Sequence, residues 1–237
     1  MTTLRLSYLV VLPPLVVAGC ANLLGIEDPQ AGPPNDAQID AQLVPTPQHR
    51  YALTAGLADE FGGPSLTALG GVRDAAGYRF KMYTGLSLAG GVPAQAYTID
   101  LRLTLDQIAM YQKLVDFKDL SADEGLYVYG ESIDFMVSAT QPPIEIETPA
   151  LVVAGKPIEI TLTRTAAGLV TAYVDGAHPV AFDDGAAASA VFSHQGQVAH
   201  FFDDDVVTTP SENAVGVVRQ IAIWDVPLTA AQVAALR

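Results

Sequence analysis

The sequence predicts an all-β fold: two antiparallel sheets packed face to face, with one short helix at the C-terminus. Three observations predict it. Apolar and polar residues alternate for nine positions in Tyr97-Thr98-Ile99-Asp100-Leu101-Arg102-Leu103-Thr104-Leu105, the period of a strand with one buried face. Beyond residue 50 the chain offers many short β-branched or aromatic runs separated by turn residues. Twenty Gly and 16 Pro against 16% charged residues favour turns over long surface helices. With 237 residues, half of them hydrophobic, the chain can build one generous β domain plus a tail.

The tail comes first. Met1 to Ser7 carries one cation, Arg5, and Tyr8 to Val17 is an apolar run broken by Pro13 and Pro14. The run is shorter than the roughly 20 residues needed to cross a bilayer, so residues 1–19 read as an export signal. Val17-Ala18-Gly19-Cys20 resembles the lipobox of bacterial lipoproteins. The resemblance implies cleavage before Cys20 and lipid attachment to its thiol, with two or more acyl chains giving durable anchoring. An ordinary secretory signal with an incidental cysteine is the alternative. Ala21, where that class would use Asp for inner-membrane retention, implies the outer membrane of a Gram-negative bacterium. Cys20 is the only cysteine, so no intrachain disulfide forms and the domain must hold together by burial alone. Residues 20–49 contain Pro29, Pro33, Pro34, Pro45 and Pro47 and read as a lipidated N-terminus followed by an extended tether. Its start, Leu23-Leu24-Gly25-Ile26-Glu27-Asp28-Pro29, resembles the opening of many lipoproteins from myxobacteria and their relatives; a linker that packs weakly against lipid headgroups is the alternative.

Residues 50–237 read as the sandwich. The Gly-rich stretch from Gly62 to Gly91 suggests a strand pair with long turns. After Tyr97–Leu105 come strands at Lys113 to Phe117, Gly125 to Tyr129 and Ile133 to Val137. Then follow the alternating Ile158–Thr163, Leu169 to Val174 closed by an Asp175-Gly176 turn, Val198 to Phe202 and Val217 to Trp224. Thr229 as N-cap, Gln232 three residues on and Pro227 just before predict the terminal helix, with Leu228, Val233 and Leu236 as its apolar contacts.

The order of these pieces resembles the laminin-G-like, concanavalin-A-like jelly rolls. Tyr97–Leu105, Gln112–Phe117 and Glu124–Val128 resemble a strand series of that family, and Tyr173-Val174-Asp175-Gly176 its hairpin. Val217–Asp225 with Pro227–Val233 resembles its closing strand and helix, with Gln232 where the family usually has Glu. The resemblance covers roughly residues 50–237. It implies two antiparallel sheets of about six or seven strands each, and a module that binds glycans, proteins or calcium; a minority of such folds are hydrolases.

Charge and motifs narrow the function. The formal net charge of −14 excludes nucleic acid as a partner and electrostatic attachment to anionic lipid. Glucanases of this fold carry three carboxylates spaced two apart on one strand. The nearest match, Glu145-Ile146-Glu147-Thr148-Pro149, has two, and Pro149 breaks the strand. No nucleophile motif appears, and His49, His178, His194 and His200 lack close metal spacing. No catalytic residues are expected. Asp203, Asp204 and Asp205 are three adjacent carboxylates after a strand. The resemblance makes them candidate calcium ligands at a sandwich rim, against a plain solvated turn. Asp183-Asp184 is a weaker copy. Tyr83, Tyr111, Tyr127, Tyr129 and Trp224 are aromatics that can stack on sugars or fill the core, and Trp224 is expected in the core. The expected function is a cell-envelope lipoprotein displaying a non-catalytic module for an extracellular glycan or envelope protein. The alternatives are a structural or assembly lipoprotein without a small ligand, and a glycoside hydrolase of the jelly-roll superfamily.

Overall fold

The computed structural model describes residues 43–93, 95–137, 151–184, 188–192, 197–204 and 212–237, and the backbone of 144–145. Cys20, Asp205, Glu147 and His194 lie outside these residues.

Among the described residues, fifteen strands form two sheets. The first joins β13 (Ala177–Asp183), β12 (Leu169–Val174), β11 (Pro157–Arg164), β6 (Tyr97–Leu105), β15 (Gly216–Trp224), β4 (Gly77–Phe80) and β3 (Val72–Asp74) in that order, with β1 (His49–Ala52) also paired to β15. The second runs β10 (Ile144–Glu145), β9 (Ser132–Met136), β8 (Gly125–Tyr129), β7 (Gln112–Asp116), β14 (Val198–Phe201), β5 (Gly85–Ala89) and β2 (Thr67–Leu69). The named strands pair antiparallel throughout. The sheets therefore hold eight and seven strands, slightly more than expected.

Alternation explains the layers. Ile99, Leu101 and Leu103 of β6 join Ile158, Ile160 and Leu162 of β11 and Ile221 and Ile223 of β15 on one inner face, opposite Val115, Leu126, Val128 and Phe135 of the second sheet. Each such side chain, fully buried, stabilises the fold by about 1.5–3 kcal/mol. Tight turns close the hairpins where the sequence allows positive φ. Asp175 and Gly176, at φ 51° and 69°, make the β12–β13 turn with the residue types that tolerate it. Between Gly62 and Gly91 the chain makes four short strands, β2 to β5, rather than one pair; Gly70 and Gly71, both at positive φ, turn β2 into β3.

A bulge at Leu114 sets up the site described below. Lys113 pairs with Tyr127, but Val115 pairs with Leu126 and Asp116 with Gly125. Leu114 and Val115 are thus both buried in the core, and Asp116 returns to the outward side with Lys113.

A smaller apolar cluster covers the outer face of the first sheet. Tyr173, Ala222 and Trp224 pack under Leu228 and Val233, joined by Val44 and Leu236. Helix α1 (Ala230–Ala234) starts with the expected capping box. The Gln232 amide donates to Thr229 Oγ1 at 3.3 Å, and the Thr229 amide donates to Gln232 Oε1 at 2.9 Å. The last residues of the expected tether are tied down beside the helix. Trp224 Nε1–H donates to the Pro45 carbonyl at 2.7 Å, and Gln232 Nε2 to that of Leu43 at 2.9 Å. Among the described residues no helix is long and apolar enough to cross a membrane.

Candidate functional site

The outer face of the second sheet collects polar and aromatic side chains by register. Going across the strands, Asp134 of β9 faces Tyr127 of β8, which faces Lys113 of β7. One step along, Asp116 faces His200 of β14, and His200 faces Ser87 of β5. A row further out, Ser132 pairs with Tyr129, which stacks on Tyr111 with ring centroids 4.2 Å apart and planes 19° from parallel. Tyr111 meets the ring of Tyr127 edge-on at 6.1 Å. Tyr129 is 45% exposed, so the three rings step from a buried polar floor to an open aromatic platform.

Lys113 is the centre of the floor. Its side chain is fully buried, and Nζ lies 3.2 Å from Asp116 Oδ2, 3.4 Å from Asp204 Oδ1 and 3.9 Å from Asp123 Oδ1. It also sits 5.2 Å from the centroid of the Tyr127 ring, a cation–π contact. The Tyr127 hydroxyl donates to Asp123 Oδ1 at 2.7 Å. Burial, then the carboxylate of Asp123, push the Tyr127 phenol far above its ordinary value. An ammonium without water costs a great deal unless it is paired and hydrogen-bonded, which is why several carboxylates converge on it.

Asp116 lies on β7 itself, while the segments after β7 and after β14, at opposite ends of that antiparallel pair, bring in Asp123 and Asp204; strained backbone marks both segments and the β4–β5 turn. Tyr83, Asp119, Leu120 and Phe202 all have φ between 54° and 65°. Two of these conformations have a visible side-chain support. Asp116 Oδ1 accepts from the amides of Lys118 and Leu120, both at 2.9 Å, and Asn213 Oδ1 accepts from the amide of Tyr83 at 2.8 Å. Left-handed non-glycine residues persist where surroundings over-determine them, and they cluster at functional sites. Tyr83 is 66% exposed, an aromatic held on a constrained loop.

The aspartates singled out in the sequence part company here. The left-handed turn at Phe202 precedes Asp203 and Asp204. Asp204 is buried and joins Asp123 and Glu212, with a carboxylate oxygen of each within 4.8 Å of the others. Asp203 is outside that group. It lies near His200, and burial raises its pKa while the imidazole lowers it. Asp184 of the weaker pair is spent on a buried two-point ion pair with Arg164, at 2.9 and 3.0 Å. Of the remaining residues considered from sequence, Trp224 is core, 3% exposed. His200 Nε2 is bonded to Asp119 Oδ1 at 2.9 Å. Glu145 stands opposite Asp134 in the backbone register.

Asp123, Asp204 and Glu212 have the spacing of a cation site, but the Lys113 ammonium already lies beside the first two, and a calcium ion there would meet its repulsion. Millimolar calcium is therefore expected to move the melting temperature by less than about 1 °C, since each 1 kcal/mol of stabilisation would add roughly 2–4 °C in a domain of this size. A rise of several degrees that Asp204→Asn abolishes would show that a metal shares these carboxylates with the lysine.

No family model and no curated protein matches the sequence. Solved structures do match in fold. Domain 4 of AbnA, an extracellular arabinanase from Geobacillus stearothermophilus solved in complex with arabinotriose, is 15% identical; the match covers 81% of this chain and 98% of that one, with a TM-score of 0.61. Trypanosoma rangeli sialidase in complex with 2,3-difluorosialic acid is 16% identical, over 81% of this chain and 33% of the sialidase, at TM-score 0.61. The binding domain of botulinum neurotoxin DC in complex with rat synaptotagmin II is 11% identical, over 81% and 51%, at TM-score 0.58. Identities at this level establish the fold, a concanavalin-A-like jelly roll, and leave function to the site itself.

Proposed function

We propose that this chain is a non-catalytic glycan-binding module, displayed at the cell envelope by lipid on Cys20. The observation that carries the binding half is the Tyr111–Tyr129 platform, open on one side and bordered on the other by buried carboxylates and a lysine. Sugar rings present apolar C–H faces and polar hydroxyl edges. An exposed tyrosine pair takes the faces, while the Tyr129 hydroxyl and the partly exposed Ser132 paired beside it offer donors and acceptors to the hydroxyls. The solved complex of the arabinanase domain with arabinotriose, in the same fold, agrees with this reading without deciding it. The anchoring half rests on Val17-Ala18-Gly19-Cys20 and on the sole cysteine falling at that point.

A glycan array, followed by affinity measurement on the best polysaccharide, tests the first half. The double variant Tyr111→Ala, Tyr129→Ala is expected to lose at least about tenfold in affinity, since an aromatic hot spot is worth more than 1 kcal/mol, with an unchanged circular dichroism spectrum. Unaltered binding in that variant, or release of reducing sugar from the bound glycan, would sink the reading. Mass spectrometry of the exported protein should find diacylglycerol on Cys20; a free thiol there would remove the anchor.

A further inference from the structure

The opposite side of the molecule carries a hollow that glycan binding at the tyrosines does not use. Its floor is the outer face of the first sheet, where Asp100 pairs across to Ala222 and Ala222 to Arg50, while Arg102 pairs with Gln220. Small Ala222 between larger neighbours leaves the depression. The Pro45–Pro47 strap and Leu236 form the walls, and the cavity measures about 560 Å³, within the range of small-molecule sites.

Its polar groups are incompletely satisfied. Asp100 is fully buried, and Oδ1 accepts from Thr161 Oγ1 at 2.9 Å, yet Oδ2 has no hydrogen bond. Arg102 Nε lies 3.6 Å from Asp100 Oδ2 and 3.1 Å from Glu159 Oε2 without the alignment of a hydrogen bond to either. Buried polar atoms in native proteins nearly always find partners, so an aimed acceptor beside an unused donor calls for a group that supplies both. A hydroxyl does: it donates to Asp100 and accepts from Arg102. Each arginine at the hollow already has a carboxylate beside it, Arg50 with Glu60 at 2.5 Å and Arg102 with Asp100 and Glu159, so an anionic ligand would have to displace a carboxylate and a cation would meet two guanidinium groups. Phe61, half exposed at the mouth, and the prolines of the strap suit the apolar face of a ring.

We propose that this hollow is a second ligand site, which takes a neutral sugar residue or other cyclic polyol between Asp100, Arg102 and Gln220 on the sheet and the strap at Pro45–Pro47. It stands on different residues from the tyrosine platform and does not depend on it.

The only tryptophan of the chain, Trp224, lines the hollow and reports on it directly. The full chain in detergent is titrated with glucose, galactose, arabinose and myo-inositol, read by tryptophan fluorescence and by saturation-transfer NMR. At least one probe is expected to give a saturable change in both. Asp100→Asn, which keeps the Thr161 bond but weakens the acceptor, is expected to lower that affinity about tenfold or more. Tyr111→Ala with Tyr129→Ala is expected to leave it unchanged. The inference is overturned if none of the four probes gives a saturable response, or if Asp100→Asn responds as the parent does. A response lost in the tyrosine variant but kept in Asp100→Asn overturns it too, while leaving the tyrosine platform as a binding site.

Discussion

Lys113→Met is expected to destabilise the domain by about 3–5 kcal/mol at pH 7, measured by urea unfolding. Methionine matches the length of the lysine stem, so the loss is not a cavity effect. It comes from leaving Asp116 and Asp204, whose side chains are fully buried, and Asp123 without the ammonium that faces all three. Against a total stability of about 5–15 kcal/mol for a domain, this is the largest single effect expected of any outer-face residue. A further result distinguishes charge from packing. Adding Asp116→Asn to Lys113→Met should recover part of the loss, because one of the stranded charges is gone. A cost below about 1 kcal/mol, or no recovery in the double variant, would mean that the lysine does not hold the floor together.

Asp100→Asn should do the reverse at alkaline pH. Burial, reinforced by the charge of Glu159, raises the Asp100 carboxyl from 3.8 to about 7. The folded state therefore binds a proton that the unfolded chain releases near pH 4. Stability from this group is fully present below about pH 4, falls as the pH rises toward 7, and is flat beyond. The full shift corresponds to a penalty on the order of 4 kcal/mol above pH 7. Glu159 is shifted in the same direction, chiefly by burial, and adds to the slope. Asparagine carries no such penalty, although Arg102 then loses a charged partner. A net gain of about 2 kcal/mol at pH 8, disappearing by pH 4, is the expected outcome. Equal stability of parent and variant at pH 8 would show that Asp100 is charged and adequately solvated in the folded protein.

Legibility of this fold in sequence followed how each strand is buried. Tyr97–Leu105 was legible to the residue because its inner face alternates cleanly. Its outer face was read as solvated, yet Thr98 and Asp100 are fully buried, because a strap and a helix from the two ends of the domain close over them. Nothing local announces such a cover. Strands of three to five residues between Gly62 and Gly91 are too short to show a period. The edge strand β13 (Ala177–Asp183) contains Pro179, which weakens any strand signal and is tolerated only because an edge leaves its nitrogen unpaired. At the site, the acidic run at residues 203–205 was visible, but not which aspartate turns inward, since that rests on the left-handed backbone of Phe202. Lys113 drew no notice at all. Its partners come from loops distant in sequence, and the bulge at Leu114 that places Asp116 beside it leaves no mark in an apolar–polar pattern. The tyrosines were named individually; their stacking depends on register, which a single strand does not reveal.

The bond from Trp224 to Pro45 has a mechanical consequence. Load applied to residues 43–47 passes to the last strand through Trp224 and to the capped helix through Gln232. The strands bearing the tyrosines belong to the other layer and lie off that line of force. Tension there would thus peel the strap from the helix before it sheared the tyrosine-bearing layer, and among the described residues the hollow beside the strap would be the first part to open.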